Sequence, residues 1–444
     1  MTNKIPIWLD CDPGHDDALA IILAGRLVRR PTWRWLNKQL MLSATHPHTH
    51  FLHAGYNPKS ELLGISTVAG NQTVEKVTDN ALRVLHAAGM EESVVVVVGQ
   101  SKPLMRPPAH CPGTWYIECV QYNPSTDKIQ YNTEIHGESG LDGPYGGPVL
   151  PPSSRSPLPD KAVLYMYDCI KKRYVEGESK TKIQLIATGA LTNIALLIIL
   201  YPDIVDMVDI TLMGGVLGIG NTGPVVEFNI QTDPEAAHVV FESGVAVLNM
   251  VPLEVTHTAL ATSQVIERIR VGNSEKELKG IPFRELIVDL LMFFADTYKR
   301  VFRFDDPPLH DPCAVAYVLA PEIFTDVEHL RVDIEVASAL SAGQTVVDVW
   351  GATGKKPNAY VCMKMDVDKF WDLMLDSVEK AAAASPLMGR TKTLTPFDGG
   401  GVHSLSSSSL DLHAVTLALN DVDGGGDEDE TTTATTTSGR SMAD

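Results

Sequence analysis

The feature that most constrains the fold is a run of eight residues near the start of the chain, Asp10-Cys11-Asp12-Pro13-Gly14-His15-Asp16-Asp17. It follows an apolar run at residues 5–9 and precedes an amphipathic one at 18–24, so the sequence spells strand, tight turn and helix. Four carboxylates in so short a stretch at the carboxyl end of a strand repel one another unless something positive sits among them. A divalent cation meets that need. Ligation by carboxylate oxygen suits calcium or magnesium, whereas zinc recruits His or Cys at tetrahedral spacing. Asp16 as a helix cap and Pro13-Gly14 as a plain turn form the competing structural reading, but a cap accounts for one aspartate and not four. Cys11 falls on the opposite side of the strand from Asp10 and Asp12 and reads as packing.

The same strand-turn-helix rhythm recurs down the chain, and polar residues collect at the strand ends. Residues 62–68 form a strand followed by Asn71 and a helix over 73–88. The β-branched run at 94–98 reads as a central buried strand. Residues 182–187 lead through Thr188 to a helix over 194–200 with Thr192 as its cap. The strand at 208–213 runs into Gly214-Gly215, a pair that lets backbone approach a ligand closely. Asn221, Glu227 and Asn229 precede the next helix, and Asn and Glu can bind vicinal hydroxyls as donor and acceptor. Leu309-His310-Asp311-Pro312 opens a helix over 313–319, with Asp311 as cap and Pro312 as first residue on the structural reading. Adjacent His310 and Asp311 would also supply a proton carrier and a second metal carboxylate. Ligands in parallel α/β sheets bind beyond the carboxyl ends of the strands, so these residues can share a crevice.

Some stretches break the rhythm. Residues 26–55 keep no period and hold four histidines between 46 and 53, which read as a loop insertion because Pro47 intervenes and no Cys or carboxylate joins them. A Pro- and Gly-rich excursion over 103–159 contains the glycine-flanked His136, suited to a mobile loop that closes over a site. The residues beyond 386 carry Ser and Thr clusters and an acidic run, the composition of a disordered tail.

A formal charge of -19 argues against nucleic acid or an anionic membrane as partner and leaves a small neutral substrate or a metal ion. The six cysteines show no CxxC pair, so no disulfides are expected. No apolar run reaches membrane-spanning length, and the first strand begins too early for a signal peptide. A cytoplasmic protein is the expectation. Neither a GxxxxGK[ST] phosphate loop nor a GxGxxG dinucleotide pattern is present, which weakens kinase and dehydrogenase readings.

Taken in order, DCDPGHDDALAI, TVAGNQ, IHGESGLDG, ATGALTNIA, LMGG, EFNI and LHDPCAVAYV closely resemble the nucleoside hydrolases of the inosine-uridine-preferring family. The resemblance covers roughly residues 5–380 outside two stretches, at about 26–55 and 113–133, that do not match. It implies a single open, mostly parallel α/β sheet flanked by helices, forming a catalytic domain over residues 1–385 ahead of the acidic tail at 386–444.

The resemblance further implies calcium-dependent hydrolysis of the N-glycosidic bond of ribonucleosides, with uridine favoured and inosine or cytidine as further substrates. One Ca2+ would be ligated by Asp12, Asp17, the Thr188 carbonyl and Asp311. Asp12 would be the general base toward the metal-bound water, and His310 would serve the leaving base. Asp16, Asn71, Asn221, Glu227 and Asn229 would hold the ribose hydroxyls, with the Met213 backbone and His136 lining the pocket. A homodimer or homotetramer is implied as well. Two alternatives stay open: the same fold acting on another N-riboside, and a catalytically silent ribonucleoside-binding protein whose pocket the insertions disrupt. For the insertions, surface elaboration and translated introns both fit.

Overall fold

The computed structural model describes residues 4–25, 60–107, 121–123, 128–130, 135–177, 180–272 and 281–387. The segment expected as an insertion at 26–55 and the tail beyond 387 lie outside these residues. Of the second expected insertion, only the strands β4 (Gln121–Asn123) and β5 (Lys128–Gln130) are described, and they pair as an antiparallel hairpin.

The first strand, β1 (Ile5–Cys11), runs straight into α1 (His15–Ala24), every residue of which is buried. A helix buried all round needs cover on all sides, and α1 lies in a layer with α2 (Val74–Ala87) and a later helix, Asp311–Leu319. The strands β2 (Ser60–Thr67), β3 (Val95–Val98), β6 (Ile183–Ala187), β7 (Val208–Met213), β8 (Leu248–Val251), β9 (Phe324–Ile334), β10 (Thr345–Asp348) and β11 (Ala359–Met365) join β1 in one sheet. Its order is β10-β9-β11-β8-β7-β6-β1-β2-β3. All neighbours pair in parallel except β9, which is antiparallel to both β11 and β10 at one edge. One apolar cluster, containing Leu9, Leu19, Leu85 and Phe283, packs one face of the sheet; another, containing Trp8, Ile194, Leu212 and Val361, packs the other.

The topology sets the position of a site. From β1 the chain moves outward through β2 and β3, then returns to the other side of β1 and moves outward again through β6, β7 and β8. The carboxyl ends of β1 and β6 therefore flank the point where the winding reverses, the place where crossover loops diverge and leave a crevice.

Several expectations need correction. The run at 94–98 is an edge strand among the described residues, not a central one. Val96 and Val97 are buried in opposite clusters, so both faces are covered and the composition reports the faces alone; Leu158 N–H donates to the Val96 carbonyl at 2.8 Å and shields the edge. Thr192 is not a cap: the helix Thr192–Leu200 is capped by Leu191, and the Thr192 hydroxyl donates to Asp233 at 2.7 Å. Asp311 is not a cap either, because His310 holds that position and Asp311 is the first helical residue.

Candidate active site

Asp10, Asp12, Asp16 and Asp17 do not act as one group. Asp10 turns to the neighbouring strands, where its Oδ1 accepts from Ser66 Oγ and, at 2.8 Å, from Asn193 Nδ2. Burial pushes its carboxyl up to about 7, and it ties the ends of β1, β2 and the helix after β6 together.

Asp16, Asp17 and Asp311 converge instead, with one oxygen of each within 4.8 Å of the others, all three residues buried. Asp17 Oδ2 accepts the Gly14 N–H at 3.0 Å and Asn71 Nδ2 at 3.3 Å, and its Oδ1 accepts the Thr188 hydroxyl at 2.8 Å. Asp12 stands beside this trio without belonging to it. Its Oδ2 accepts the Asn71 N–H at 2.8 Å, and its Oδ1 is buried with no hydrogen-bond partner among the described residues. Gly70 and Gly189 wall in that carboxylate so closely that a Cβ on either would fall 2.0 Å from Oδ2 or 2.5 Å from Oδ1. Burial first, then the neighbouring aspartates, drives Asp12 and Asp311 well above the usual carboxylate range; the same two causes raise Asp16 to about 7. Four carboxylates under that strain, one oxygen of them orphaned, have the all-oxygen chemistry of a site for a hard divalent cation.

Asp16, Asn71, His136, Thr188, Met213, Asn221, Glu227, His310 and Asp311 line one pocket above this floor. Asp12, Asp17 and Asn229 touch its wall from behind. Glu227 caps the helix Phe228–Thr232, accepting the N–H groups of Asn229 and Ile230, and it also accepts that of Gly215; burial raises it to about 7. The Asn229 amide donates to the carbonyls of Thr188 at 2.9 Å and Met213 at 3.1 Å, while Asn221 Oδ1 accepts the Phe228 N–H at 3.0 Å. These bonds lock the polar side chains in place before any ligand arrives.

Aromatic side chains line the same pocket. His310 Nε2 lies 2.7 Å from the Tyr298 hydroxyl and its Nδ1 2.8 Å from Thr256 Oγ1. Burial, helped by nearby His257, holds its pKa well below the ordinary histidine value. Phe294, Tyr298 and Phe302 face the pocket from the helix Pro282–Phe302. Sequence reasoning missed all three, although their spacing of four residues within an amphipathic helix was a readable signal.

Ile135 and His136 complete the lining, and the residues that follow them are tethered through their main chain. Gln72 Nε2 donates to the Gly137 carbonyl at 2.9 Å, Lys76 Nζ to that of Glu138, and Asn80 Nδ2 to that of Ser139 at 2.9 Å. Asp142 folds the segment on itself, accepting the N–H groups of Glu138 at 2.8 Å and Ser139 at 3.1 Å.

The sequence profile of the inosine-uridine preferring nucleoside hydrolases matches residues 48–372, a span that starts beyond the aspartate motif. A probable ribonucleoside hydrolase of Dictyostelium discoideum is 42% identical over 84% of this chain and 94% of its own length. A pyrimidine-specific ribonucleoside hydrolase of Salmonella agona is 36% identical over 84% of this chain and 98% of its own. Among solved structures, a purine-preferring ribonucleoside hydrolase from Gardnerella vaginalis superposes with a TM-score of 0.63 at 26% identity, covering 85% of this chain and 99% of that one. A plant nucleoside hydrolase, at a TM-score of 0.64 and 23% identity over 85% of this chain and 99% of its own, shares the fold. Among the described residues no helix is long and apolar enough to cross a membrane. With the sheet, the pocket at its switch point and these matches all in agreement, the chain belongs to the inosine-uridine preferring nucleoside hydrolase family and is a ribonucleoside hydrolase, acting on small nucleosides.

Proposed function

We propose that the enzyme is a calcium-dependent nucleosidase that favours uridine, with cytidine and inosine as weaker substrates, and releases ribose and free base. The observation that carries this reading is a single pocket lined by Asp16 and Asp311 of the buried carboxylate cluster, by the amide and carboxyl groups of Asn71, Asn221 and Glu227, and by His310 and Tyr298 among aromatic rings. Groups suited to a cation, to sugar hydroxyls and to a base thus share one cavity. The favoured base rests on the pyrimidine-specific relative at 36% identity.

Asp12, Asp17 and Asp311, with the Thr188 carbonyl, would hold the cation. When bound, it neutralises the carboxylates and lowers the pKa of a coordinated water. Asp12, with its unpartnered Oδ1, takes the proton of the water that attacks the anomeric carbon. Asp16, Asn71, Asn221, Glu227 and Asn229 grip the sugar hydroxyls, and carboxylates beneath the ring stabilise the positive charge that develops as the glycosidic bond lengthens. Buried, neutral His310, hydrogen-bonded to Tyr298, orients or protonates the departing base. His136 and the Met213 backbone complete the enclosure.

A homodimer or homotetramer located in the cytoplasm completes the proposal; light scattering tests the assembly. Ribose release from uridine, cytidine, inosine and adenosine, with and without a chelator, tests the chemistry. Turnover that survives exhaustive chelation, or a rate on adenosine above that on uridine, overturns the respective part.

A further inference from the structure

The mechanism above makes no use of His15, yet this residue is wholly buried between the carboxylates of the opening motif and the segment that carries His136. Its ring stacks on Phe293 and Phe294 at centroid separations of 5.1 and 5.5 Å. Its Nε2 lies 2.9 Å from the Asp142 carbonyl oxygen. A carbonyl can only accept, so the proton of a neutral His15 sits on Nε2 and its Nδ1 is bare.

That bare Nδ1 lies 3.0 Å from Nδ1 of His136. Two lone pairs at such a distance repel, so the contact needs a hydrogen on His136 Nδ1. The His15 backbone N–H is directed at the same nitrogen from 3.3 Å and would suit a bare Nδ1; the Nδ1–H tautomer gives up that longer contact to put a proton in the shorter ring contact. A neutral His136 protonated on Nδ1 has a bare Nε2. His136 lines the pocket while only 8% exposed, and among the described residues its polar contacts are made at Nδ1.

We propose that His15 is a positioning residue that fixes His136 as the Nδ1–H tautomer, so that His136 offers Nε2 to the bound nucleoside as a hydrogen-bond acceptor. Its partner is therefore a donor, either the N3–H of a uracil base or the 5′-hydroxyl of the ribose. The substrate half of this inference rests on the nucleosidase reading; the tautomer does not.

Two measurements on the full-length enzyme test it. In a long-range 1H–15N correlation spectrum of protein labelled in histidine, with His136 assigned by loss of its signals in His136→Gln, the expected pattern is a protonated Nδ1 and a pyridine-like Nε2. Protonation on Nε2 in the wild-type enzyme overturns the proposal whatever the variants do. In kinetics, His15→Phe keeps the ring stack but cannot accept from His136, and one lost hydrogen bond lowers kcat/KM for uridine about tenfold, chiefly through KM. His15→Asn keeps an acceptor near the Nδ1 position and retains kcat/KM within about threefold, since the hydrogen bond survives.

The substrates 3-methyluridine and 5′-deoxyuridine each lack one candidate donor. The one missing the true partner suffers in the wild-type enzyme and loses nothing more in His15→Phe. If His15→Phe slows uridine and both analogues by the same factor, His15 serves packing alone and the inference fails. Should the wild-type enzyme cleave none of the three, the proposed preference for uridine is what fails, and the spectrum still decides the tautomer.

Discussion

The walls around Asp12 give a sharp test of the general-base assignment. At neither Gly70 nor Gly189 is φ positive, so an alanine is not strained by its backbone and acts through its added Cβ. At Gly70 that Cβ would lie 2.0 Å from Asp12 Oδ2 and 3.0 Å from its Cγ. Ordinary contact between heavy atoms is about 3.5 Å, so the carboxylate or the turn at Gly70 must move by roughly 1.5 Å. The movement also pulls Oδ2 away from the Asn71 N–H that it now meets at 2.8 Å. Displacing a reacting group by about 1 Å costs about a hundredfold in rate, close to 2.7 kcal/mol of transition-state stabilisation. Overpacking costs about 1–3 kcal/mol of folding stability, which leaves the protein folded. Gly70→Ala should therefore lower kcat for ribose release from uridine about a hundredfold while thermal unfolding stays cooperative, an expectation resting on that positional sensitivity. Gly218→Ala is the control, because its Cβ would meet only Glu254 Oε1 at 3.7 Å. A Gly70→Ala enzyme that keeps more than about a tenth of the wild-type kcat would remove the reacting proton from Asp12.

Asp12→Asn should nearly abolish turnover with the fold intact by circular dichroism, and residual activity above about a tenth of wild type would count against the base role. For His310→Ala, uridine hydrolysis should fall while nitrophenyl riboside, whose leaving group needs no help, is spared; equal losses on both substrates would exclude leaving-group assistance. In chelated protein, Asp10 and Glu227, raised from 3.8 and 4.5 to about 7, keep protons in the folded state that the unfolded chain has released. Stability should then fall as pH rises from about 4 to 7, and added calcium should raise Tm more at pH 8 than at pH 5.5, where protons compete for its ligands. A Tm of the chelated protein that climbs with pH across that window would contradict this sign. Joining Gly25 to Tyr56 and Pro112 to Glu134 should give a more soluble protein that hydrolyses uridine at least as fast, if those inserts are translated introns; a misfolded product beside an active full-length chain would show them to be structural parts.

Strands and their polar ends were legible because apolar runs and the turns after them are local features. The aspartate motif, Asn71, Thr188 and His310-Asp311 could thus be placed in one crevice from the sequence. What was not legible is relational. Nothing local tells that Asp10 points to Ser66 and Asn193 while Asp16 and Asp17 point to Asp311, since that depends on which strands flank β1. The position of β3 was misread for the same reason: buried faces imprint a composition, and an edge does not. Thr256, and the pairing of Tyr298 with His310, became visible only once the fold was known, because the partners lie 54 and 12 residues apart in sequence.

The grip on residues 137–139 falls on three consecutive main-chain oxygens, and every residue type carries one. Gln72, Lys76 and Asn80 are therefore indifferent to the side chains they restrain. Glu138 can be exchanged next to the pocket-lining His136 without loosening this attachment, which makes it a natural place to vary substrate range by directed substitution, whereas the Ser139 hydroxyl also donates to Asp142 and accepts the Leu141 N–H. Gly137 and Gly140 are the exceptions, since their φ values of +74 and +86 favour glycine whatever the substrate.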